Sequence, residues 1–332
     1  MLIVHRSERT DVLADVLAEV LSTPLTVDGG GRADPFAPEI VCVPARGVER
    51  WLQQHLACRL GTGTPGGRDG ISANIDFPSP AELADRIVAS VHSGAPFAGA
   101  GAGRADNPWH RPRLVWPVLR VLDAGVEHAL PEFEATSRHV GSLPALIAGG
   151  MTEQDARDEA DYRRGRRYAT ARQIADLFAQ YAAARPSMLA AWAAGPGPDG
   201  RDLDGASAPV ADGLGWQPGF FRAVRAEVGA PHPAEYLDAV CARLREDPAV
   251  GGLPDRLSVF GPTRITESFR LLLAAAAEHH DVHLYLPHPS PTLWAAGPSP
   301  VRAEGAARTP APPVSRQHWR RRIPAHPLLA SL

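Results

Sequence analysis

Lysine is absent from this sequence, because all 34 of its basic residues are arginines. A phosphate-binding loop of the P-loop class places a lysine on the β- and γ-phosphates of the nucleotide. Schiff-base enzymes likewise need a lysine amine as their nucleophile. The missing lysine therefore excludes both chemistries from this chain, whatever codon bias lies behind the arginine-rich composition.

Cysteine is scarce, and long apolar runs are missing as well. Cys42, Cys58 and Cys241 have no CxxC spacing, which is typical of reduced thiols in a cytosolic protein. We expect Cys42 and Cys58 to lie on apolar faces. No apolar stretch approaches the roughly 18 residues of a membrane span, and the N-terminus does not read as a signal peptide. The expectation is a cytoplasmic protein without a membrane segment.

An excess of positive charge is also lacking. The formal net charge is −3, and the apolar content of 44% is ordinary for a globular protein. Any contact with nucleic acid must therefore come from a local basic patch. The length of 332 residues allows one large domain or two of ordinary size.

What is present is organised around a strand, a loop and a helix at residues 39–60. Ile40–Val43 is a short β-branched run, typical of a strand buried on both faces, and Pro44 ends it. An amphipathic helix follows, with Arg46 and Arg50 in its first turns. The crevice beside such a strand end is the usual binding position of an open α/β sheet. We therefore predict a basic binding crevice here, without a catalytic group.

Further short apolar segments read as strands, and their long connections favour parallel pairing. We predict one mostly parallel sheet of about five strands, formed by Leu2–His5, Glu39–Val43, Ile71–Ile75, Leu257–Phe260 and Val282–Leu286. The sequence from 94 to 250 is helical instead and opens with a Gly- and Ala-rich stretch at 94–105. The predicted fold class is α/β, a sheet domain interrupted by an inserted all-helical domain, with segments 1–93, 94–250 and 251–332.

The two places where a P-loop enzyme holds its nucleotide lack the required groups. Residues 5–10 read HRSERT, with no glycine to let backbone amides wrap a phosphate. The strand 257–260 ends at Phe260 and Gly261 instead of the acidic residues that would hold Mg²⁺. The next carboxylate is that of Glu267. We therefore predict no ATP site in this chain, and we interpret Phe260 and Gly261 as a packing residue and a turn.

Four histidines cluster near the end of the helical and strand pattern: His279, His280, His283 and His288. They straddle a helix end, a strand and a loop, whereas a zinc site favours ligands three or four residues apart on one element. We therefore favour surface and helix-end roles for them and predict no metal site. A Ser-His-Asp triad stays open, although no GxSxG elbow is present.

Arginines and aromatic residues alternate along the longest helical pattern, residues 155–192, which Arg185-Pro186 should break or kink. The arginines are Arg163, Arg164, Arg166, Arg167 and Arg172, and the aromatics are Tyr162, Tyr168, Phe178 and Tyr181. This combination suits a single strand held by phosphate charge and base stacking. For each arginine alone a solvated helix face is the better interpretation, and the aromatics are also candidate core residues. Both interpretations stay open.

Seven stretches, in this order, resemble RecC, the gamma subunit of exodeoxyribonuclease V. They are LIVHRSERTDVLADVLAEVL (2–21), DPFAPE (34–39), VPARGVERWLQ (43–53), ISANIDFPSPAEL (71–83), RQIADLFAQYAAARPSMLAAW (172–192), LSVFGPTRITESFRLLLAAAAEHHDVHLYLPHPSPTLW (257–294) and HPLLASL (326–332). Together they span nearly the whole chain. The family continues far past the last stretch, so the resemblance covers its N-terminal part only and indicates a truncated chain.

The resemblance implies a degenerate superfamily 1 helicase-like domain whose ATP site has decayed. In the family this half helps to form the channel for the 3′-ended strand leaving the RecB motor and takes part in scanning for Chi. The implied partners are the RecB (beta) and RecD (alpha) subunits and single- and double-stranded DNA ends, with no membrane. No cofactor is implied for this chain, because ATP and Mg²⁺ are used by the partner subunits.

The resemblance also implies a set of channel-lining positions. They are the loop of Pro44, Ala45, Arg46 and Gly47 with Arg50, then Ser79, Asp176, Leu177 and Arg185. Better-known relatives carry uncharged polar residues at the positions of Pro44, Arg46 and Arg50. Arginines at these positions grip phosphate but read bases poorly.

The leading hypothesis is a non-catalytic DNA-channel and scaffold segment acting in double-strand break repair by recombination. The alternatives are an active nucleotide-binding α/β enzyme and a gene fragment with no function alone. We expect weak single-stranded DNA binding through Arg46, Arg50 and Arg185, with a slope of log affinity against log salt of roughly −2. Trp51 should face the core, so that its replacement by alanine should cost about 3–5 kcal/mol.

Overall fold

The structure, a computed structural model, describes residues 1–27, 32–33, 37–60, 71–94, 97, 107–128, 133–197, 200–204, 208–210 and 213–288. The chain divides into two compact units. The first comprises Met1–Leu83, Leu253–Ile265 and Ala276–Leu332, and the second comprises Ala84–Gly252 and Thr266–Ala275. The Gly- and Ala-rich stretch at 94–105 lies almost wholly outside the described residues.

The first unit contains one parallel sheet. Its described strands are β1 (Leu2–Ser7), β2 (Thr26–Val27), β3 (Arg32–Ala33), β4 (Glu39–Cys42), β5 (Ile75–Asp76), β6 (Arg256–Phe260) and β7 (Asp281–Pro287). The short strands β2 and β3 pair antiparallel with each other, and the other five form a sheet in the order β1-β7-β6-β4-β5. Every pairing in that sheet is parallel. The predicted fold class and the single sheet containing 257–260 are therefore confirmed.

One face of the sheet packs against two helices, α1 (Thr10–Leu21) and α2 (Arg46–Ala57). Leucines recur three or four residues apart along both helices, which places them on one side. The shared core contains Leu13, Leu17, Val41, Val43, Leu52, Leu56, Phe260 and Tyr285. Burial of these side chains holds the start of α2 at the carboxyl end of β4.

The third predicted strand is much shorter than expected. Ile71–Ile75 was the predicted range, but β5 begins only at Ile75, and Ile71 is exposed. Asn74 adopts a left-handed backbone conformation with φ 57°, which an extended strand does not tolerate. Its side-chain amide donates a hydrogen bond to the carbonyl of Ala37 (2.9 Å). The turn at Asn74 therefore ends the extended run that the sequence indicated.

The second unit is helical in the residues that the structure describes. Its helices include most of α3 (Pro80–Ser93), then α4 (Arg111–Glu127), α5 (Glu134–His139), α6 (Leu143–Ala148), α7 (Glu153–Arg163), α8 (Arg166–Ala184), α9 (Pro186–Ala194), α10 (Trp216–Val228), α11 (Pro233–Glu246) and most of α12 (Glu267–Ala276). A short 3-10 turn covers Val250–Gly252. In the described ranges, no helix is both long enough and apolar enough to cross a bilayer.

The longest predicted helix is broken twice. The expected break at Arg185-Pro186 is present, because α8 ends at Ala184 and α9 begins at Pro186. A second break at Arg164 and Gly165 separates α7 from α8 and was not predicted. Charged residues fill both sides of that break, so the apolar periodicity gave no sign of it.

Cysteine placement was predicted correctly for one of two residues. Cys42 is buried, as expected, and burial raises the pKa of its thiol. Cys58 is exposed instead. It is the residue that follows the last turn of α2, where helical spacing no longer decides which way a side chain faces.

Candidate nucleic-acid interface

The candidate site begins where β4 ends, at the carboxyl edge of the parallel sheet. The amide of the buried Val43 donates a hydrogen bond to the carbonyl of Pro78 (3.0 Å). This bond sets the loop that carries Pro44 beside the turn that carries Ser79. Two of the predicted positions, Pro44 and Ser79, are therefore brought to the same edge of the sheet, and both are half-buried.

The N-terminus of α2 follows this loop directly. Ala45 precedes the helix in extended backbone, and no side chain caps the first turn. The Ala45 carbonyl accepts hydrogen bonds from the amides of Val48 (3.0 Å) and Glu49 (3.1 Å). An uncapped helix start leaves its first amides without intrahelical partners and carries a partial positive charge, which favours an anion.

Arg46 and Arg50 add two full charges to this helix start. Both are exposed, and their spacing of four residues places them on one side of α2. Within the described residues neither arginine makes an ion pair. A Cβ built on Gly47, between them, would meet no atom within 4 Å. The start of α2 therefore carries two exposed arginines with no ion pair among the described residues, together with one carboxylate, that of Glu49.

Trp51 contradicts the expectation that it faces the core. It is 36% exposed, and its ring centroid lies 6.3 Å from that of Phe260 and 5.3 Å from that of His55. The core side of this helical turn is occupied by Leu52, which is fully buried. Trp51 therefore lies at the rim of the site, next to Arg50, where part of its ring is open to solvent. Helical spacing placed Trp51 on the core side, so the sequence did not indicate it as a residue of the site.

Ser79 has a structural use in the folded chain. Its hydroxyl accepts a hydrogen bond from the amide of Glu82 (3.3 Å), and its carbonyl accepts one from Leu83 (2.9 Å). Pro80 is the first residue of α3, a position that proline favours. Ser79 therefore caps α3. Its position at the sheet edge is explained by this capping role.

Asp176, Leu177 and Arg185 belong to the second unit, whereas the other predicted positions belong to the first. Asp176 pairs with Arg111 of α4, with the Arg111 Nη2 atom 2.8 Å from Oδ2. Leu177 is half-buried on α8. The carboxylate of Asp176 thus has a cationic partner already and ties α8 to α4.

Arg185 lines a cleft of about 430 Å³ at the junction of α8 and α9. Three carboxylates share that cleft, those of Asp204, Asp238 and Glu267. Glu267 is hydrogen-bonded to Arg270 (2.8 Å), and this bond holds the pKa of the Glu267 carboxyl below its usual range. Carboxylates outnumber guanidinium groups in the cleft, so its charge does not favour a phosphate.

Most arginines of α7 and α8 form ion pairs with carboxylates of this chain. Ion pairs join Arg163 to Glu159, Arg164 to Asp161 and Arg167 to Asp123, and the Arg166 guanidinium lies 5.0 Å from the ring centroid of Tyr162. The aromatics divide between two environments. Phe178 is buried, whereas Tyr162 and Tyr168 are 71% and 49% exposed. The core assignment was therefore wrong for these two tyrosines, and Phe178 is closed to any base.

Two strand ends complete the carboxyl edge of the sheet. The carbonyl of Ser7, where β1 ends, accepts a hydrogen bond from the amide of His288 (2.9 Å). Gly261 follows the fully buried Phe260 and takes a left-handed φ of 60°, and its amide donates to the Tyr285 carbonyl (2.9 Å). The backbone at both strand ends is thus hydrogen-bonded to a neighbouring strand of the sheet.

The clustered histidines are mostly internal. His280, His283 and His288 are buried, contrary to the surface role expected for them, and only His279 of the four is exposed. Nδ1 of His280 lies 3.1 Å from the Pro254 carbonyl, and Nδ1 of His283 lies 3.0 Å from Nε2 of His5. Burial lowers the pKa of both His280 and His283. Across the described residues, no three His, Cys, Asp or Glu side chains are grouped to hold a metal.

Comparisons with known proteins agree with the resemblance. The family described as "RecC, N-terminal domain" matches residues 2–332. The chain is 41% identical over 328 residues to the RecBCD enzyme subunit RecC of Mycobacterium tuberculosis (strain ATCC 25618 / H37Rv), covering 99% of this chain and 25% of that protein. It is 36% identical to the protein of the same name from Mycolicibacterium smegmatis, over 99% of this chain and 24% of that protein. It is 26% identical to the protein of that name from Escherichia coli (strain K12), over 89% of this chain and 22% of that protein. The chain thus spans about a quarter of the length of these relatives.

Proposed function

This chain belongs to the RecC family, and we propose from that premise that it is a non-catalytic DNA-channel and scaffold segment of an exodeoxyribonuclease V gamma subunit. The proposed process is the repair of double-strand breaks by recombination, in which DNA ends are processed and the 3′-ended strand is passed along and scanned for a Chi-like signal. The proposed partners are the RecB and RecD subunits and DNA ends. ATP and Mg²⁺ are used by those partner subunits, and the chain acts in the cytoplasm.

The observation that carries the proposal is the surface at the start of α2. Arg46 and Arg50 are exposed, lie one helical turn apart and make no ion pair among the described residues. Trp51, which is 36% exposed, is the residue after Arg50 in the same helix. Guanidinium groups neutralise phosphates, and an open aromatic face stacks on an unpaired base. This surface therefore suits a single strand that is held without being read base by base.

The scaffold part of the proposal rests on what the strand ends contain. In the sequence, the loop after β1 has neither lysine nor glycine, and β6 ends at Phe260 and Gly261. A nucleotide hydrolase needs a cationic cradle and a metal-binding acid at these two positions. The chain therefore contributes binding and positioning in this proposal, and the chemistry belongs to its partners.

The experiment measures binding of the full chain to a fluorescent single-stranded oligonucleotide by anisotropy. The double variant Arg46→Ala/Arg50→Ala should weaken binding by at least tenfold, because two phosphate contacts are lost. The matched control is Arg59→Ala, which removes an exposed arginine at the other end of α2 whose charge is already paired with Asp15 (2.9 Å). Equal affinities for the double variant and the control would refute this assignment of the strand-binding surface. ATP hydrolysis by the pure chain with Mg²⁺ would refute the non-catalytic role.

A further inference from the structure

A second exposed aromatic surface lies in the helical unit, on α4 and α8. Trp116 is 57% exposed and Tyr168 is 49% exposed. Their ring centroids are 6.1 Å apart and the planes are inclined at 48°. Two large rings from neighbouring helices therefore form one continuous aromatic surface. An exposed apolar surface rimmed by polar residues commonly marks a binding site.

The helices beneath these rings are held firmly together. Leu114, Val115 and Val118 of α4 and Ile174 of α8 belong to the same buried core. Ion pairs tie the helices at two levels, Arg111 with Asp176 and Arg167 with Asp123. The spacing of the two rings is thus set by packed helices, which lowers the entropy cost of presenting them to a ligand.

The charge around the rings is positive. Arg113 stands three residues before Trp116, and Arg172 stands four residues after Tyr168, so each arginine shares a helix face with one ring. Both arginines are exposed, and neither has an ion-pair partner in the described part of the chain.

The carboxylates of the two helices do not offset this charge. Two of the three, Asp123 and Asp176, are already paired with arginines. The third, that of Glu127, is eleven residues beyond Trp116, about three helical turns away. Two guanidinium groups therefore remain next to the rings.

We propose that Trp116 and Tyr168, with Arg113 and Arg172, form a stacking platform for a single nucleic-acid strand. Bases stack on the two rings while the guanidinium groups hold the flanking phosphates. Stacking needs open base faces, which a duplex hides, so the platform selects unpaired strands. The platform rests on the proposed function and deepens it, since it is a further strand-binding surface, on residues that the family resemblance did not assign.

A protein partner is the competing occupant, because Trp, Tyr and Arg are also enriched in protein interfaces. The positive charge of Arg113 and Arg172 favours the nucleic-acid strand over the protein partner. Arginines without carboxylate partners leave a positive surface, and the repeating phosphate charge of a strand matches it at every step. A protein would need an acidic, apolar segment of matching shape.

Photo-cross-linking with an oligonucleotide that carries 5-iodouracil tests the platform in the full chain. Cross-linked peptides should contain Trp116 or Tyr168. Trp116→Ala should remove the cross-link at position 116 and weaken anisotropy binding by about five- to 160-fold, the loss expected for one base–aromatic stack. Trp116→Phe should keep most of the affinity, because it keeps a ring. Leu214→Ala is the control, since Leu214 is an exposed apolar residue of the same unit.

The outcomes separate this platform from the site on α2. If cross-links fall only at Trp51, or if Trp116→Ala binds like Leu214→Ala while melting normally, the platform is refuted and the α2 site stands. If Arg46→Ala/Arg50→Ala binds as the unchanged chain does but the Trp116 cross-link persists, the α2 site fails and the platform stands. Loss of association with RecB and RecD on Trp116→Ala, with oligonucleotide affinity unchanged, would assign the surface to a protein and overturn the proposal.

Discussion

Trp51 lies over the carboxyl end of the sheet, with its ring centroid 6.3 Å from that of Phe260 and 36% of its surface exposed. Phe260 is fully buried and ends β6. The Trp51 ring is therefore in contact with the core while part of its surface is open to solvent. We therefore expect Trp51 to contribute less to stability than a fully buried tryptophan and, in the proposed function, to contribute to strand binding.

Trp51→Ala should destabilise the first unit by about 2 kcal/mol, less than the roughly 3–5 kcal/mol of a fully buried tryptophan, because part of its surface already meets water. Leu52→Ala is the matched comparison, since Leu52 is the next residue of the same helix and is fully buried. It should cost about 2–5 kcal/mol. Urea unfolding of both variants shows which one loses more free energy of unfolding. A larger loss of stability for Trp51→Ala than for Leu52→Ala would contradict the partial exposure of Trp51.

Arg50→Ala should change the salt dependence of DNA binding with little effect on stability. Each phosphate contact on a single strand contributes about −0.7 to the slope of log affinity against log salt. Arg46 and Arg50 together should contribute about −1.4 to this slope, and Arg50→Ala should flatten the slope by about 0.7. Anisotropy titrations at several salt concentrations measure both slopes. An unchanged slope would mean that Arg50 touches no phosphate.

Much of the sheet was predictable because buried parallel strands are short apolar runs with long connections. Strands at 2–5, 39–43, 257–260 and 282–286 were all found close to their predicted bounds. The strand at 71–75 failed because a single left-handed residue, Asn74, ends the extended backbone. Conformation at one residue leaves no periodic signal in a sequence.

The candidate site was less predictable, because exposure and pairing depend on which elements meet. Helical spacing gave the inner face of α2 correctly at Leu52 but placed Trp51 there as well. Arg46 and Arg167 look alike in the sequence, yet among the described residues Arg167 has an ion-pair partner, Asp123 of another helix, and Arg46 has none. Trp116 and Tyr168 are 52 residues apart in the chain, so the sequence carried no sign that their rings meet.

Arg256 and Glu39 should be strongly coupled in their contributions to the stability of the first unit. Their side chains pair at the amino ends of β6 and β4 and are only 11% and 14% exposed. Arg256 also donates hydrogen bonds to the carbonyls of Val20 (2.9 Å) and Thr23 (2.8 Å). Arg256→Ala leaves a buried carboxylate without its cation, so it should cost about 3–5 kcal/mol. A double-mutant cycle with Glu39→Gln, read by urea unfolding, measures the coupling.

The pH dependence of the Arg256→Ala variant provides the check. Burial raises the pKa of the Glu39 carboxyl, and Arg256 opposes that shift. Without the arginine the pKa should rise further, so the carboxyl takes up a proton more readily in the folded state. The stability deficit of Arg256→Ala should therefore shrink as the pH falls through the folded pKa of Glu39. Arg59→Ala, whose ion pair with Asp15 is exposed, should cost less than about 1 kcal/mol. A deficit that grows at low pH would contradict this account.

The second unit should lose stability in mild acid because of His232. This residue precedes α11, and its Nδ1 accepts a hydrogen bond from the amide of Ala234 (3.0 Å). Its backbone amide donates to the Glu235 carboxylate (2.6 Å), so the two residues cap the helix reciprocally. A proton on Nδ1 would replace the acceptor by a donor. Burial lowers the pKa of His232 to about 4, although the charge of Glu235 opposes the shift.

The sign of the effect follows from proton uptake. The ordinary pKa of an unfolded histidine is about 6.5, so between pH 6.5 and 4 the unfolded chain binds a proton at this residue that the folded chain does not. The stabilising contribution is complete above pH 6.5 and is lost as the pH falls toward 4, by roughly 2–3 kcal/mol between pH 7.5 and 4.5. His232→Asn keeps a capping acceptor but does not titrate. Urea unfolding at both pH values should therefore give a smaller loss for the variant, by that amount. Equal losses would mean that the pKa of His232 is the same in the folded and unfolded chain, so that its Nδ1 is not held as the acceptor for the Ala234 amide.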